Sequence, residues 1–105
     1  MGEHEEKLEK IVRKAAAEFL LRESNGASLI TVTRVEFSKD GKYATILLTV
    51  LPEDKEAAAL EFVQRQRPDF IEYVKKHTKI GRLPYFDFQI DSGEKHRQKL
   101  DTIQL

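Results

Sequence analysis

The chain of 105 residues has no cysteine and no excess charge, since 18 Lys and Arg balance 18 Asp and Glu. The absence of cysteine excludes disulfide bonds and thiolate zinc sites, and it is compatible with a reducing cytoplasm. No apolar run approaches the ~20 residues of a membrane-spanning helix, and the acidic N-terminal segment lacks the apolar stretch of a secretory signal. We therefore expect a cytoplasmic protein with no membrane partner.

Signatures of catalysis are also missing from the sequence. His4, His77 and His96 are far apart and form no HExxH or comparable metal-ligand spacing. No glycine-rich phosphate loop precedes a helix. Asp87 and Asp91 would project from the same face of a strand, where solvated carboxylates explain them more simply than acid–base chemistry does. We expect no enzyme activity, no cofactor, no metal and no small-molecule substrate.

Hydrophobic periodicity predicts the element order helix, strand, strand, helix, helix, strand within one domain, residues 1–92. Apolar residues recur at helical spacing from about Glu5 to Glu23. The segments Leu29 to Phe37 and Tyr43 to Leu51 read as strands joined by an Asp-Gly turn, and Tyr85 to Ile90 alternates as a third strand. The alternation of the first strand changes phase midway, which indicates either coverage of both faces or a β-bulge.

The helical pattern after the second strand is interrupted once. An apolar stripe begins at Ala57, and helical spacing resumes at Phe70. Between them, Pro68 lacks a backbone N–H and its ring clashes with the preceding turn. We therefore predict two helices that meet in a kink at Arg67-Pro68-Asp69.

These elements predict an α+β fold in which the helices pack on one face of a three-stranded sheet. The final segment, residues 93–105, is polar with spaced Leu100 and Ile103. We expect it to form a short C-terminal helix or a flexible tail, and we expect a monomer.

Charge is unevenly distributed along this neutral chain. Four acids stand against one base from Glu53 to Glu61, whereas six bases stand against two acids from Phe62 to Arg82. A local cluster of this kind can meet phosphates even on a neutral protein, although a helix with a lysine-rich solvated face explains the count about equally well. The six bases are Arg65, Arg67, Lys75, Lys76, Lys79 and Arg82.

Segments spread between Ile30 and Ser92 carry a family resemblance, in the family's order and at plausible spacing. They are the run from Ile30 to Glu36 with Ser38, Asp40, Tyr43-Ala44 and Val50-Leu51, then Phe70-Ile71, then Arg82-Leu83-Pro84 with Phe86, Phe88, Asp91 and Ser92. This pattern is similar to the ribosome-binding factor A family, whose fold is a type II KH domain. The element order predicted above is also the order of that fold.

The resemblance implies binding to the immature small ribosomal subunit near its 16S ribosomal RNA, with ribosomal proteins as further candidate partners. It also implies assistance in a late maturation step, a role in cold adaptation, and no catalysis. The family replaces the GxxG loop of KH domains by an Ala-x-Gly kink, and Arg67-Pro68-Asp69 stands at that position here. The family's Ala-x-Gly motif is therefore absent from this chain. Asp69 also adds a negative charge where RNA contact is expected.

The candidate RNA-binding residues are the six bases named above together with Arg34. Such side chains would position phosphates without specifying sequence. Arg34 lies in a strand, so pairing with Glu36 or with a neighbouring strand is its alternative role. Tyr43 and Tyr85 are candidate stacking residues, since single-stranded bases stack on exposed aromatics, although strand aromatics more often pack.

Three other functions stay open at this point. One is a general KH module that recognises short single-stranded RNA. Another is a protein-interaction adaptor that has kept the fold and lost RNA binding, which the neutral charge and Asp69 favour. A hydrolase is the weakest of the three.

Overall fold

The first helix packs through a narrow stripe of apolar residues. In the computed structural model, which describes residues 3–23 and 26–93, helix α1 (Glu3–Glu23) buries Val12, Ala16 and Phe19. Helical periodicity brings these three positions to one face, and that face covers the sheet. Gly26 follows with φ of +79°, a backbone conformation that glycine adopts without steric cost, and turns the chain into the first strand.

The three strands form one mixed sheet in the order β1-β2-β3. Strands β1 (Leu29–Phe37) and β2 (Tyr43–Leu51) pair antiparallel, and β3 (Tyr85–Ile90) pairs parallel to β2. The hairpin turn is held by Asp40, whose carboxylate accepts the Lys42 N–H at 3.0 Å and the Ser38 hydroxyl at 2.7 Å. The Lys42 bond, followed by the Ser38 bond, lowers the pKa of Asp40 below its ordinary value.

A β-bulge at Thr33 explains the phase change in β1. Val32 pairs with Leu48 and Arg34 pairs with Leu47, so Thr33 is the extra residue between them. Apolar side chains therefore reach the helix-covered face on both sides of the bulge. Of the two alternatives left open by the sequence, the bulge is the correct one.

The extra residue of the bulge ties β1 to the end of β3. The Thr33 hydroxyl donates to Asp91 Oδ2 at 2.6 Å, and Asp91 is only 3% exposed. The backbone N–H of Asp91 donates to Leu48 O at 2.7 Å, which extends the β2–β3 pairing by one residue. A buried carboxylate needs hydrogen-bond donors such as the Thr33 hydroxyl, because a buried charge without them costs free energy.

Two helices follow β2, as predicted, but their junction lies earlier than the predicted kink. After a short 3-10 turn, α2 (Glu56–Arg65) and α3 (Arg67–His77) are separated by Gln66 alone. Arg67, Pro68 and Asp69 form the first turn of α3 and not the junction itself. Proline is tolerated there because the first N–H groups of a helix have no intrahelical acceptor, so the break precedes the proline.

All three helices pack on the same face of the sheet, and Phe70 of α3 lies at the centre of that packing. Its ring centroid is 5.4 Å from Phe19, 5.0 Å from Phe86 and 5.6 Å from Phe88. Phe70, Phe86 and Phe88 are completely buried. The α+β fold read from the sequence, helix-strand-strand-helix-helix-strand with helices on one sheet face, is confirmed.

The prediction for the C-terminal tail concerns residues 93–105, of which all but Gly93 lie outside the described residues, and it stays a prediction. Within residues 3–23 and 26–93, no helix is long and apolar enough to cross a membrane.

We predict that Phe70→Ala lowers the free energy of unfolding by about 3–5 kcal/mol, because it removes a completely buried ring that joins α1, α3 and β3. Urea denaturation measures the change. Leu21→Ala is the control, since Leu21 is 80% exposed and its truncation should change stability by no more than about 0.5 kcal/mol. Equal losses in the two variants would contradict the central position of Phe70.

We also predict that Thr33→Val destabilises the fold by about 1–3 kcal/mol at neutral pH, because the isosteric side chain removes a hydrogen bond to a buried carboxylate. Thr31→Val, on the exposed side of the same strand, is the matched control and should have little effect. Thermal unfolding of both variants checks this. A Thr33→Val melting temperature no lower than that of Thr31→Val would contradict a stabilising role of the Thr33–Asp91 bond.

Candidate nucleic-acid interface

The structure divides the predicted cations among separate parts of the surface. Helix α3 has 11 residues, so its ends lie about 16 Å apart at 1.5 Å per residue. Arg67 is its first residue, whereas Lys75 and Lys76 lie in its last turn. The two ends therefore cannot act as one compact cluster.

The cations near the α2–α3 junction are engaged within the molecule. Arg65 Nη1 lies 3.0 Å from Glu61 Oε1 in an exposed pair one helical turn apart. Arg67 Nη2 lies 3.2 Å from Asp87 Oδ1, and its guanidinium carbon is 4.9 Å from the centroid of the Tyr85 ring. Arg67 therefore reaches across the β3 edge and helps to hold that strand, which leaves it less available for phosphate than the sequence suggested.

The cations that follow are more available. From Tyr73 to Phe86 the sequence has four Lys or Arg and no Asp or Glu, and we call this stretch the acid-free segment. Within it, Lys75 Nζ lies 3.5 Å from Glu72 Oε1. The other three cations are exposed and form no ion pair with any described residue. They are Lys76, Lys79 and Arg82.

The end of α3 also has a structural reason to be basic. Lys75, Lys76 and His77 occupy its last turn, where cations complement the partial negative charge of the helix terminus. This explanation does not extend to Lys79 and Arg82, which lie beyond the helix in the connector to β3. Those two side chains are the members of the acid-free segment that the helix dipole does not explain.

A groove beside this segment adds a cation that the sequence pattern did not indicate. It has a volume of about 420 Å³, lies between α1 and the end of α3, and is lined by both Lys14 and Lys79. Glu18 is the one acid among its lining residues. No local pattern links Lys14 to Lys79, because 64 intervening residues separate them and only the packing of α1 on α3 brings them together.

Arg34 lies apart from the acid-free segment, on the sheet face that the helices leave open. Its Nη2 is 3.9 Å from Glu36 Oε1, and its Nε is 3.7 Å from Asp91 Oδ2. The pairing that we considered as its alternative role is therefore present. Its side chain is still 54% exposed, so a further contact stays open to it.

Asp69, where the chain departs from the pattern that the resemblance implies, occupies a position that favours a carboxylate. It is exposed in the first turn of α3, where a negative charge is favoured by the helix dipole. It also lines a shallow cavity together with Lys76 and Tyr73. The negative charge at the start of α3 therefore lies on the same cavity as the exposed Lys76, although it belongs to the other end of the helix.

The helix-free face of the sheet carries an exposed pair of aromatic rings. Tyr43 and Tyr85 are register partners at the start of β2 and β3, with ring centroids 6.0 Å apart. They are 58% and 52% exposed. The structure thus brings together the two tyrosines that the sequence had indicated as candidates for stacking, and it adds Arg67 beside them.

The acids considered for catalysis have separate partners. Asp87 pairs with Arg67, whereas Asp91 accepts the Thr33 hydroxyl. Among residues 3–23 and 26–93, no three His, Cys, Asp or Glu side chains are grouped so as to hold a metal ion.

Comparison with known proteins identifies the family. The family model described as Ribosome-binding factor A matches residues 4–104. Ribosome-binding factor A of Kosmotoga olearia is 29% identical over 100 residues, which cover 94% of this chain and 80% of that protein. The protein of the same name from Fervidobacterium nodosum is 32% identical over 92 residues, covering 82% of this chain and 74% of the relative.

Solved structures of the same family share the fold. The crystal structure of ribosome-binding factor A from Thermus thermophilus superposes with a TM-score of 0.71 at 26% identity, covering 80% of this chain and 91% of that one. A solution NMR structure from Thermotoga maritima gives 0.69 at 26% identity, covering 83% and 86%. The resemblance read from the sequence is confirmed, and the chain belongs to the ribosome-binding factor A family.

Proposed function

We propose that this chain is an assembly factor that binds the small ribosomal subunit in the cytoplasm, contacting the 16S ribosomal RNA of the immature 30S particle. Family membership supports a ribosomal partner. A homology model of the Thermus thermophilus relative, fitted into the cryo-electron microscopy map of a 30S complex, matches this chain with a TM-score of 0.65 at 25% identity. That match covers 75% of this chain and 86% of the relative.

The acid-free segment is the observation that supports RNA as the direct contact. Lys76, Lys79 and Arg82 are exposed and unpaired among the described residues, so no intramolecular bond must break before they meet phosphate. Lysine and arginine bound to phosphates release condensed counterions, which gives affinity that falls steeply with salt. Contacts of this kind position a protein on RNA without reading its sequence.

The groove between α1 and α3 extends this surface. Lys14 lies on its α1 side and Lys79 on the other, so a phosphate chain following the acid-free segment would meet a cation from each side of the groove. Arg65, Arg67 and Lys75 are secondary in this proposal, because each already pairs with an acid of the same chain. Arg34 is a separate contact point on the open sheet face.

A protein-interaction adaptor is the second candidate function. It is favoured by the engagement of Arg65 and Arg67 in intramolecular pairs and by the formal net charge of zero. The two functions differ in salt dependence. Binding through phosphates weakens strongly as salt rises, whereas binding to a protein surface that is mainly apolar does not.

Sedimentation of the purified chain with isolated small subunits, across a salt series and with large subunits as the control, tests the proposed function. We expect a preference for the small subunit that weakens as salt rises. Equal binding to both subunits at low salt would contradict the assembly-factor proposal. A preference for the small subunit that is insensitive to salt would favour the adaptor.

The combined variant Lys76→Gln, Lys79→Gln and Arg82→Gln should weaken small-subunit binding. The slope of log affinity against log salt should become shallower by about 2–3, roughly one for each phosphate that the variant no longer neutralises. The control variant Lys7→Gln, Lys10→Gln and Lys55→Gln removes the same charge from exposed lysines elsewhere. It should keep most of the slope. Equal reductions would show that net charge matters and not this segment, and an unchanged slope would exclude the segment from the interface.

A further inference from the structure

The aromatic pair on the open sheet face is held rigidly by the backbone. Strands β2 and β3 begin side by side, and the N–H of Tyr85 donates to Lys42 O at 2.8 Å. At the other side, Tyr43 N–H donates to Ser38 Oγ at 3.1 Å, and Ser38 N–H donates to Tyr43 O at 3.0 Å. Both rings therefore project from a fixed corner formed by the hairpin turn and the start of β3.

Packing alone does not account for these two rings. The aromatic residues that build the core, Phe70, Phe86 and Phe88, are completely buried on the helix-covered face. Tyr43 and Tyr85 remain more than half exposed, with one edge-to-face contact to each other at 64°. A cross-strand pair of this kind stabilises a sheet only modestly, so much of the apolar area of each ring stays in water.

The surroundings of the rings are suited to a nucleic-acid strand. The Arg67 guanidinium lies over the Tyr85 ring, held there by Asp87. Lys42 immediately precedes one tyrosine in sequence, and Arg82 lies three residues before the other. Cations therefore flank the exposed rings along the chain, as phosphates on either side of a stacked base would require.

Polar side chains next to the rings could meet the edges of a base. Asp87 lies beside Thr45 in the sheet register, two residues beyond the aromatic pair. Gln89 Nε2 donates to Asp87 Oδ2 at 3.1 Å, which leaves its amide carbonyl as an acceptor on the open face. Stacking combined with nearby donors and acceptors is how unpaired bases are bound by protein surfaces.

We infer that Tyr43 and Tyr85 form a stacking platform for unpaired bases of single-stranded RNA, with Lys42 and Arg82 near the adjoining phosphates. This inference rests on the proposed function in that the natural strand is ribosomal RNA. It adds that the bound RNA includes unpaired nucleotides. It also adds that the open sheet face binds RNA together with the acid-free segment, which ends within β3.

Fluorescence provides a direct test because the chain contains no tryptophan. The Tyr85→Trp variant keeps an aromatic ring in the platform and introduces a single indole reporter. An octauridylate should quench its emission, and adding Tyr43→Leu should weaken the binding by about tenfold. Absence of quenching by the oligonucleotide overturns the platform.

Small-subunit binding supplies the second arm of the test. The Tyr43→Leu and Tyr85→Leu double variant keeps apolar surface but removes the flat rings, and it should bind small subunits about tenfold more weakly for each ring removed. Leu29→Thr and Leu51→Thr form the matched control, since these exposed register partners lie at the other end of the same sheet face. The control should bind like the unmodified chain, and circular dichroism should show that both double variants are folded.

The outcomes separate this inference from the proposed function. If the unmodified chain shows no preference for small subunits but the oligonucleotide still quenches the indole, the proposed function falls and the platform stands. If the chain prefers small subunits and the leucine variant binds equally well, the platform is overturned. A further variant, Tyr43→Thr with Tyr85→Thr, removes the apolar surface as well. If this variant loses binding and the leucine variant does not, the face makes an apolar contact with protein, and the platform is overturned.

Discussion

The placement of Phe70 determines the arrangement on which the candidate interface depends. One ring on α3 contacts Phe19 of α1 and both buried phenylalanines of β3. Through that ring, α3 packs against both α1 and β3. Its first residue then reaches the β3 edge, its last turn lies against α1, and its polar side faces solvent with the lysines exposed. The surface chemistry of this chain is therefore a consequence of how one aromatic side chain is packed.

A neutral protein can present a polyanion with a favourable surface when its charges are segregated. Here the acids are concentrated around the start of α2 and the N-terminal part of α1, whereas the stretch from Tyr73 to Phe86 has none. Screening in physiological salt limits the reach of a charge to about 8 Å, so a bound phosphate responds to the nearest side chains and little to the net charge. The formal charge of zero is thus compatible with RNA binding at one end of α3.

The parts of the fold that depend on local pattern were predictable from the sequence. The stripe of α1 and the alternation of β2 repeat with the period of their own element, and the structure has both where they were expected. The phase change in β1 signalled that something was irregular, but only pairing with β2 shows that Thr33 is the bulged residue. The helix break was predicted from Pro68, yet it lies at Gln66, because proline fits the first turn of a helix and the boundary precedes it.

The candidate site was less predictable, because its geometry arises from contacts distant in sequence. The six bases within residues 62–82 are close in sequence and were expected to form one cluster. In the structure, most of the length of α3 separates Arg67 from Lys76. The pairing of Arg67 with Asp87 spans 20 positions, and the meeting of Lys14 with Lys79 spans more than three times as many. No local motif encodes either juxtaposition. The register of the two exposed tyrosines is likewise set by the parallel pairing of β2 with β3.

Site-specific photocrosslinking to small ribosomal subunits tests most directly whether the end of α3 faces RNA. A benzophenone amino acid would replace Lys79 in one protein and, as the control, Asp54 in the acidic 3-10 turn before α2 in another. We predict crosslinks to 16S ribosomal RNA from position 79 and few or none to RNA from position 54. Crosslinks to RNA from position 54 without any from position 79, or crosslinks from position 79 to ribosomal proteins alone, would contradict an RNA-facing end of α3.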